Sequence, residues 1–174
     1  MSSLQIPLHG RNHRPGGSDP IPAAPAALDW AYLWRTADRT YANNVFASPF
    51  DASTTGAESD ATVLDADVTN GVIEIYETGI YLAQLAGSWT ITFTGDKTAR
   101  INFALDNVVA PDFARQIVNE VRGDFDVCAM VVVQAITAGS PPLNNVSCTL
   151  GQQSGSDKVM NEVQLTVVRL SAYP

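Results

Sequence analysis

The stretch GIYLAQLAGSWTITF, residues 79 to 93, alternates with period two along its length. Its odd positions, Tyr81, Ala83, Leu85, Gly87, Trp89, Ile91 and Phe93, are apolar. Gln84, Ala86, Ser88, Thr90 and Thr92 fill the even ones from 84 onward. Side chains alternate across a strand but recur every 3.6 residues on a helix, so this run predicts a strand with one core face and one small, polar face. Ile101, Phe103 and Leu105 repeat the pattern against Arg100, Asn102 and Asp106, and residues 146–150 and 163–170 add two strands near the end. Earlier, Trp30, Tyr32 and Trp34 alternate with Ala31 and Leu33 as an opening strand with an aromatic face. A helical pairing of Trp30 with Trp34 is the weaker alternative. Asn70-Gly71 is a hairpin turn signal between residues 61–68 and 72–76. The Ser, Thr, Ala, Asp and Gly of residues 47 to 60 predict a long loop. Short strands with a turn signal every ten or so residues, and no helical period, specify an antiparallel sandwich or barrel.

One segment breaks the in-out rule. In VCAMVVVQAI, residues 127 to 136, the side chains Val127, Ala129, Met130, Val131, Val132 and Val133 make both faces apolar. In a two-layer sandwich one face meets the core, and the other stays open to water unless a second subunit buries it. These six residues are therefore the expected subunit interface.

Residues 1–27 follow a different rule. They hold Pro7, Pro15, Pro20, Pro22 and Pro25, half of all the prolines, so they cannot propagate a helix or a central strand. Too little apolar surface is present to offset the entropy of ordering. An extended Pro/Gly-rich arm is expected, followed by a β domain over 28–174. Within the arm, HGRNHRPGGSDPIP (residues 9 to 22) contains both histidines of the chain.

Composition narrows the partners. A 45% hydrophobic content suffices for a core, and a net charge of −8 argues against nucleic acid or an anionic membrane as partner. No apolar run is long enough to span a bilayer as a helix. MSSLQIPLHG offers neither a charged n-region nor an apolar h-region, so synthesis in a cytosol is expected. Cys128 and Cys148 fit no metal or redox spacing and are expected to be two buried thiols.

Two resemblances add to this reading. GIYLAQLAGSW resembles the central strand motif of the complement globular-head and tumour necrosis factor-like jelly rolls. The order of strands, and the closing VVRLSAY, are similar to that family over roughly residues 28 to 174. The resemblance implies an all-β, antiparallel jelly-roll sandwich that assembles as a homotrimer with its chain ends near the threefold axis. Unlike that family's usual plan, no collagen-like or coiled-coil stalk is expected before the domain. The second resemblance is the pattern H-x(3)-H-x-P-G-G-x-D-P-[IL], carried by His9, Gly10, His13, Pro15, Gly16, Gly17, Asp19, Pro20 and Ile21. It is similar to a segment near the start of tail-associated and fibre proteins of tailed bacteriophages. That implies a non-enzymatic virion protein, a minor tail protein made in the host bacterial cytoplasm, whose arm docks onto other virion structural proteins. A head fibre or capsid decoration protein, and a module that binds a host-surface glycan, are the alternatives.

The same residues admit rival chemistry. Three arms around an axis would gather the imidazoles of His9 and His13 into a metal site. A spacing of four puts both rings on one side only in a helix, which the prolines deny. Packing inside a docking groove, with Asp19 capping the turn, is the expectation, and no metal or other cofactor is expected. Asp65, Asp67, Asn70 and Gly71 approach a calcium loop in the wrong register, with Asn70 at the sixth position and Tyr76 at the twelfth. Nucleophilic catalysis needs an imidazole beside the nucleophile, and both imidazoles lie in the arm. The loops at 43 to 60 and 138 to 157 have the Asn, Ser, Thr, Gln and Gly that suit a sugar, as does any solvated loop.

Overall fold

The computed structural model describes residues 28–89, 95–105, 108–118, 124–134, 136 and 144–172; for 105 and 108–118 it describes the backbone alone. Every assigned element among them is a strand, and every pairing is antiparallel. One sheet runs in the order β10 (Asp124–Val133), β7 (Gly79–Trp89), β12 (Lys158–Ala172), β1 (Trp30–Arg35), β4 (Thr55–Glu58), and β2 (Arg39–Tyr41) pairs with the start of β12. The other runs β5 (Leu64–Asp67), β6 (Val72–Ile75), β11 (Asn145–Gln153), β8 (Asp96–Leu105), β9 (Val108–Val118), with β3 (Phe46–Ala47) beside β11. In the first sheet no neighbours on that path are consecutive in the chain, and in the second the hairpins β5–β6 and β8–β9 are joined through β11, which is the crossed connectivity of a jelly roll rather than a meander.

The core forms where the inward phases of the two sheets meet. Tyr81, Ala83, Leu85 and Trp89 of β7 are buried, as the alternation requires, against Ile101 and Phe103 of β8 and Val146, Cys148 and Leu150 of β11. Gly87 interrupts the apolar series because β12 and β10 come too close for a side chain. A Cβ there would lie 2.5 Å from the Glu162 carbonyl oxygen and 2.6 Å from the Phe125 ring. The expected strand to residue 93 is described as far as Trp89.

The hairpin at Asn70-Gly71 forms between β5 and β6, with Asp67 opposite Val72 and Gly71 at φ +68°. Its turn is longer than a two-residue one, and Asp67 holds it. Its carboxylate accepts the Thr69 and Asn70 amides at 2.9 and 3.0 Å, and its carbonyl accepts the Gly71 amide at 2.9 Å.

The polar stretch at 47 to 60 is not one loop: β4 lies within it and pairs with β1 as the sheet's edge. A buried arginine explains why the rest is ordered. Arg35 Nε donates to Asp51 Oδ1 at 3.2 Å and Ser53 Oγ at 3.0 Å, and Nη2 donates to the Asp38 carbonyl at 3.0 Å. Bonds from the Ser53 side chain and amide hold the Asp51 carboxyl down at about 2, with Arg35 adding its positive charge.

Candidate assembly face

Strand register converts the outer surface of the first sheet into rows of side chains. On β7 the outward residues are Ile80, Leu82, Gln84, Ala86 and Ser88; their neighbours across β10 are Val132, Met130, Cys128, Asp126 and Asp124. On the other side of β7, Leu82 faces Val168, Gln84 faces Thr166 and Ala86 faces Gln164. Those three in turn oppose Trp30, Tyr32 and Trp34 of β1. The rows therefore grade along the strands. One end is acidic, with Asp124, Ser88 and Glu162. The other is apolar, with Met130, Leu82, Val168 and Trp30, followed by Val132 and Ile80.

Among the described residues, four side chains of the apolar rows stand exposed. Met130 is 61% exposed, Val132 41%, Trp30 39% and Leu82 36%. Trp30 and Tyr32 stack 5.8 Å apart at an interplanar angle of 9°, which makes a rigid aromatic platform on β1. The polar rows bond among themselves: Gln84 Nε2 donates to both Asp126 oxygens at 3.0 and 3.1 Å, and Ser88 Oγ donates to Asn161 Oδ1 at 2.7 Å. Because Ala86 and Gly87 are small, a hollow of about 250 Å³ lies over them between Trp34, Glu162 and Gln164.

The residues expected at a subunit interface divide between the two sides of β10. Val127, Ala129, Val131 and Val133 point inward and are buried in the chain's own core, so this correction leaves Met130 and Val132 on the outer face. A doubly apolar strand does not reveal which phase its own domain uses. Cys128 also corrects an expectation, since it is exposed between the polar and apolar rows, whereas Cys148 is buried; both thiols are free. Desolvation, with the Asp126 carboxylate beside it, raises the Cys128 thiol, and burial raises Cys148 further. Neither environment makes a thiolate nucleophile.

The aromatic face of β1, read from sequence without a direction, points outward, while Ala31 and Leu33 enter the core. Reading the sequence missed that these aromatics share a face with Met130. The arm residues His9, Gly10, His13, Pro15, Gly16, Gly17, Asp19, Pro20 and Ile21 lie outside the described residues. The two stretches with sugar-like composition are not both loops, since 43 to 60 holds β3 and β4 and 138 to 157 holds β11; they meet through bonds to each other, Asn43 Oδ1 accepting the Gly155 amide at 2.9 Å and the Asn44 amide donating to the Gln152 carbonyl of β11 at 2.9 Å. Among the described residues, no group of three or more His, Cys, Asp or Glu is placed to hold a metal ion, and no helix is long and apolar enough to cross a membrane.

Comparison with known proteins places the architecture. No family model matches the chain, and no curated protein matches it in sequence. Solved structures do match. Eiger TNF from S. frugiperda overlaps 85% of this chain and 96% of its own, with a TM-score of 0.54 at 7% identity. Murine APRIL at pH 5.0 overlaps 83% of this chain and 100% of its own, with a TM-score of 0.55 at 10% identity. The fold is a tumour necrosis factor-like jelly roll. The PRD1 vertex protein overlaps 82% of this chain with a TM-score of 0.49 at 12% identity. At 7% and 10% identity, what the chain shares with the Eiger and APRIL structures is the fold alone.

Proposed function

We propose that this chain is a non-enzymatic structural protein of a tailed-phage virion: a trimeric jelly-roll knob held by its N-terminal arm. The observation that carries the structural role is the bare apolar end of the first sheet's outer face. Monomeric proteins seldom leave such contiguous apolar rows in water, and a second subunit is the ordinary cover. The address comes from the arm, where His9, His13, Pro15, Gly16, Gly17, Asp19, Pro20 and Ile21 carry the pattern similar to phage tail-associated and fibre proteins. Gly16 and Gly17 would supply backbone angles closed to other residues, letting the arm turn tightly in its socket. Pro15, Pro20 and Pro22 would lessen the entropy lost on docking. The tail is the favoured position, as a minor tail protein, and residues 1–27 would contact the other virion proteins.

Replacing Gly16 and Gly17 by Val tests the arm. The expected protein is folded and trimeric but absent from purified particles; normal incorporation refutes the docking role. Gold-labelled antibody against the knob, viewed on intact particles, tests the address. Label at the tail end supports a minor tail protein, and label over the head replaces that reading with a head fibre or decoration protein. Light scattering that returns a monomer at micromolar concentration would overturn the trimer.

A further inference from the structure

A bulge shapes the hollow at the polar end of the first sheet. Trp89 pairs with Met160 and Ser88 with Glu162, so Asn161 is the extra residue of β12. Asn161 and Glu162 both stand out on the exposed side as a result. Ser88 Oγ lies 2.7 Å from Asn161 Oδ1 and 3.3 Å from Glu162 Oε1, which fixes the direction of both side chains. Two residues further along β12, Gln164 sits between Trp34 of β1 and Ala86 of β7. Its Nε2 donates to Thr166 Oγ1 at 3.0 Å, which leaves the amide oxygen to accept from a ligand. The Trp34 indole is 44% exposed, and Ala86 and Gly87 keep the floor low.

An aromatic plate beside a carboxylate and an amide suits a sugar ring. The C–H groups on one side of a pyranose carry partial positive charge and pack on the negative face of an indole. Its hydroxyls donate to carboxylate and amide oxygens around the ring edge. A volume of about 250 Å³ falls below the range of sites for drug-sized ligands, so the hollow takes one ring rather than a larger molecule. Charge selects among sugars. Glu162 lines the hollow, Asp126 stands opposite Ala86 in the same row, and none of the described lining residues is basic. An acidic sugar would be repelled there, whereas a neutral or amine-bearing one would not.

The hollow also lies away from the chain ends. Asp29 leads into β1 beside Trp30, and Trp34 is four residues on, about 13 Å along the strand. The last pairs of β12 lie at the Trp30 end too, with Ala172 opposite Gly79. A knob held by its arm therefore turns the hollow away from its attachment.

We propose that this hollow binds one neutral or amine-bearing hexopyranose, its ring stacked on Trp34 and its hydroxyls held by Glu162 and Gln164. This goes beyond the structural role above and takes from it only the direction in which the site faces. The test is saturation-transfer NMR on the full-length protein with N-acetylglucosamine, galactose, glucosamine and glucuronate. Each is used at about 10 mM, enough to reveal a Kd of about 1 mM. Transfer to the ring C–H protons of at least one neutral or amino sugar is expected, and little to glucuronate. No transfer to any of the four, or transfer to glucuronate as strong as to the others, overturns the proposal.

Variants then locate the sugar. Trp34→Ala should weaken binding at least about tenfold, as for loss of an aromatic anchor, and Trp34→Tyr should restore most of it. Ala86→Gln fills the hollow from its floor and should abolish binding with the indole intact. Both positions lie on the outer phase, and an unchanged unfolding midpoint verifies each fold. A sugar that binds Trp34→Ala and Ala86→Gln as well as the parent protein binds elsewhere, which also overturns the proposal. Light scattering on the same samples keeps the two readings apart. A monomer that binds sugar through Trp34 removes the trimer and leaves the site, whereas a trimer that binds none of the four removes the site alone.

Discussion

The two sheets treat their exposed apolar groups differently. On the second sheet Phe46 reaches the surface, yet the chain itself provides for it. The ring lies over Gly151, where a Cβ would collide with it, and the Arg100 guanidinium stands 4.6 Å from the ring centroid. On the first sheet Met130, Val132, Leu82 and Trp30 have no such cover among the described residues. Exposure alone therefore says little. A surface aromatic with a glycine seat and a cation lid is finished within the monomer, whereas contiguous aliphatic and aromatic rows await a second molecule.

Five predictions sharpen that contrast, and the first concerns the two phases of β7. Leu85→Ala removes a fully buried side chain and should cost about 2–5 kcal/mol in urea unfolding. Leu82→Ala, on the outer phase, should change the stability of the dilute monomer by less than about 0.5 kcal/mol. Equal losses would erase the distinction between core and bare face. Next is Gly151→Val, which must displace the Phe46 ring from its seat; a loss of about 1–3 kcal/mol is expected, as for other overpacked sites. An unchanged midpoint would mean that the ring is not held there. Smaller still, Arg100→Gln combined with Phe46→Leu in a double-mutant cycle should show a coupling of about 0.5–1 kcal/mol, the size of an exposed cation–π contact.

The smallest effects are electrostatic and opposite in sign on the two sheets. Asp51, beside Arg35, has its carboxyl lowered to about 2, so its contribution is complete above the ordinary carboxylate value and is lost as pH falls towards 2. Asp51→Asn should flatten the acid limb of a melting-temperature profile. Glu74 is pushed the other way. Burial raises its carboxyl, the Tyr76 hydroxyl that donates to it at 2.8 Å lowers it, and the Asp67 and Asp65 charges raise it again. A raised folded value means that the protonated form suits the fold, so stability is fullest at low pH and falls as Glu74 ionises. Glu74→Gln should raise the melting temperature at pH 7 by less than about 3 °C, and by nothing at pH 3. A fall at pH 7 would show that the ionised carboxylate is needed.

Much of this architecture is legible in single segments. The β7 alternation is visible residue by residue, and Asn70-Gly71 marks its hairpin because a left-handed residue is needed there. The assembly face was legible only in part. Val127, Ala129, Val131 and Val133 look like Met130 and Val132 in sequence, and only burial separates them. β4 was hidden because Thr55, Gly56, Ala57 and Glu58 have no strand pattern of their own; they are a strand because β1 offers an edge to pair with. Cys128 carries no signal for its outward position. That comes from its register against Gln84.

By itself the sequence determined the period, and with it the strands, their turns and the requirement for two covered layers. Tertiary structure alone decided the direction of each face. Alternation divides a strand into two sets of side chains, but pairing register and the opposing sheet choose which set turns inward. That choice sent Ala31 and Leu33 into the core, turned Trp30 and Tyr32 outward, and set them in one face with Met130, about a hundred residues away along the chain.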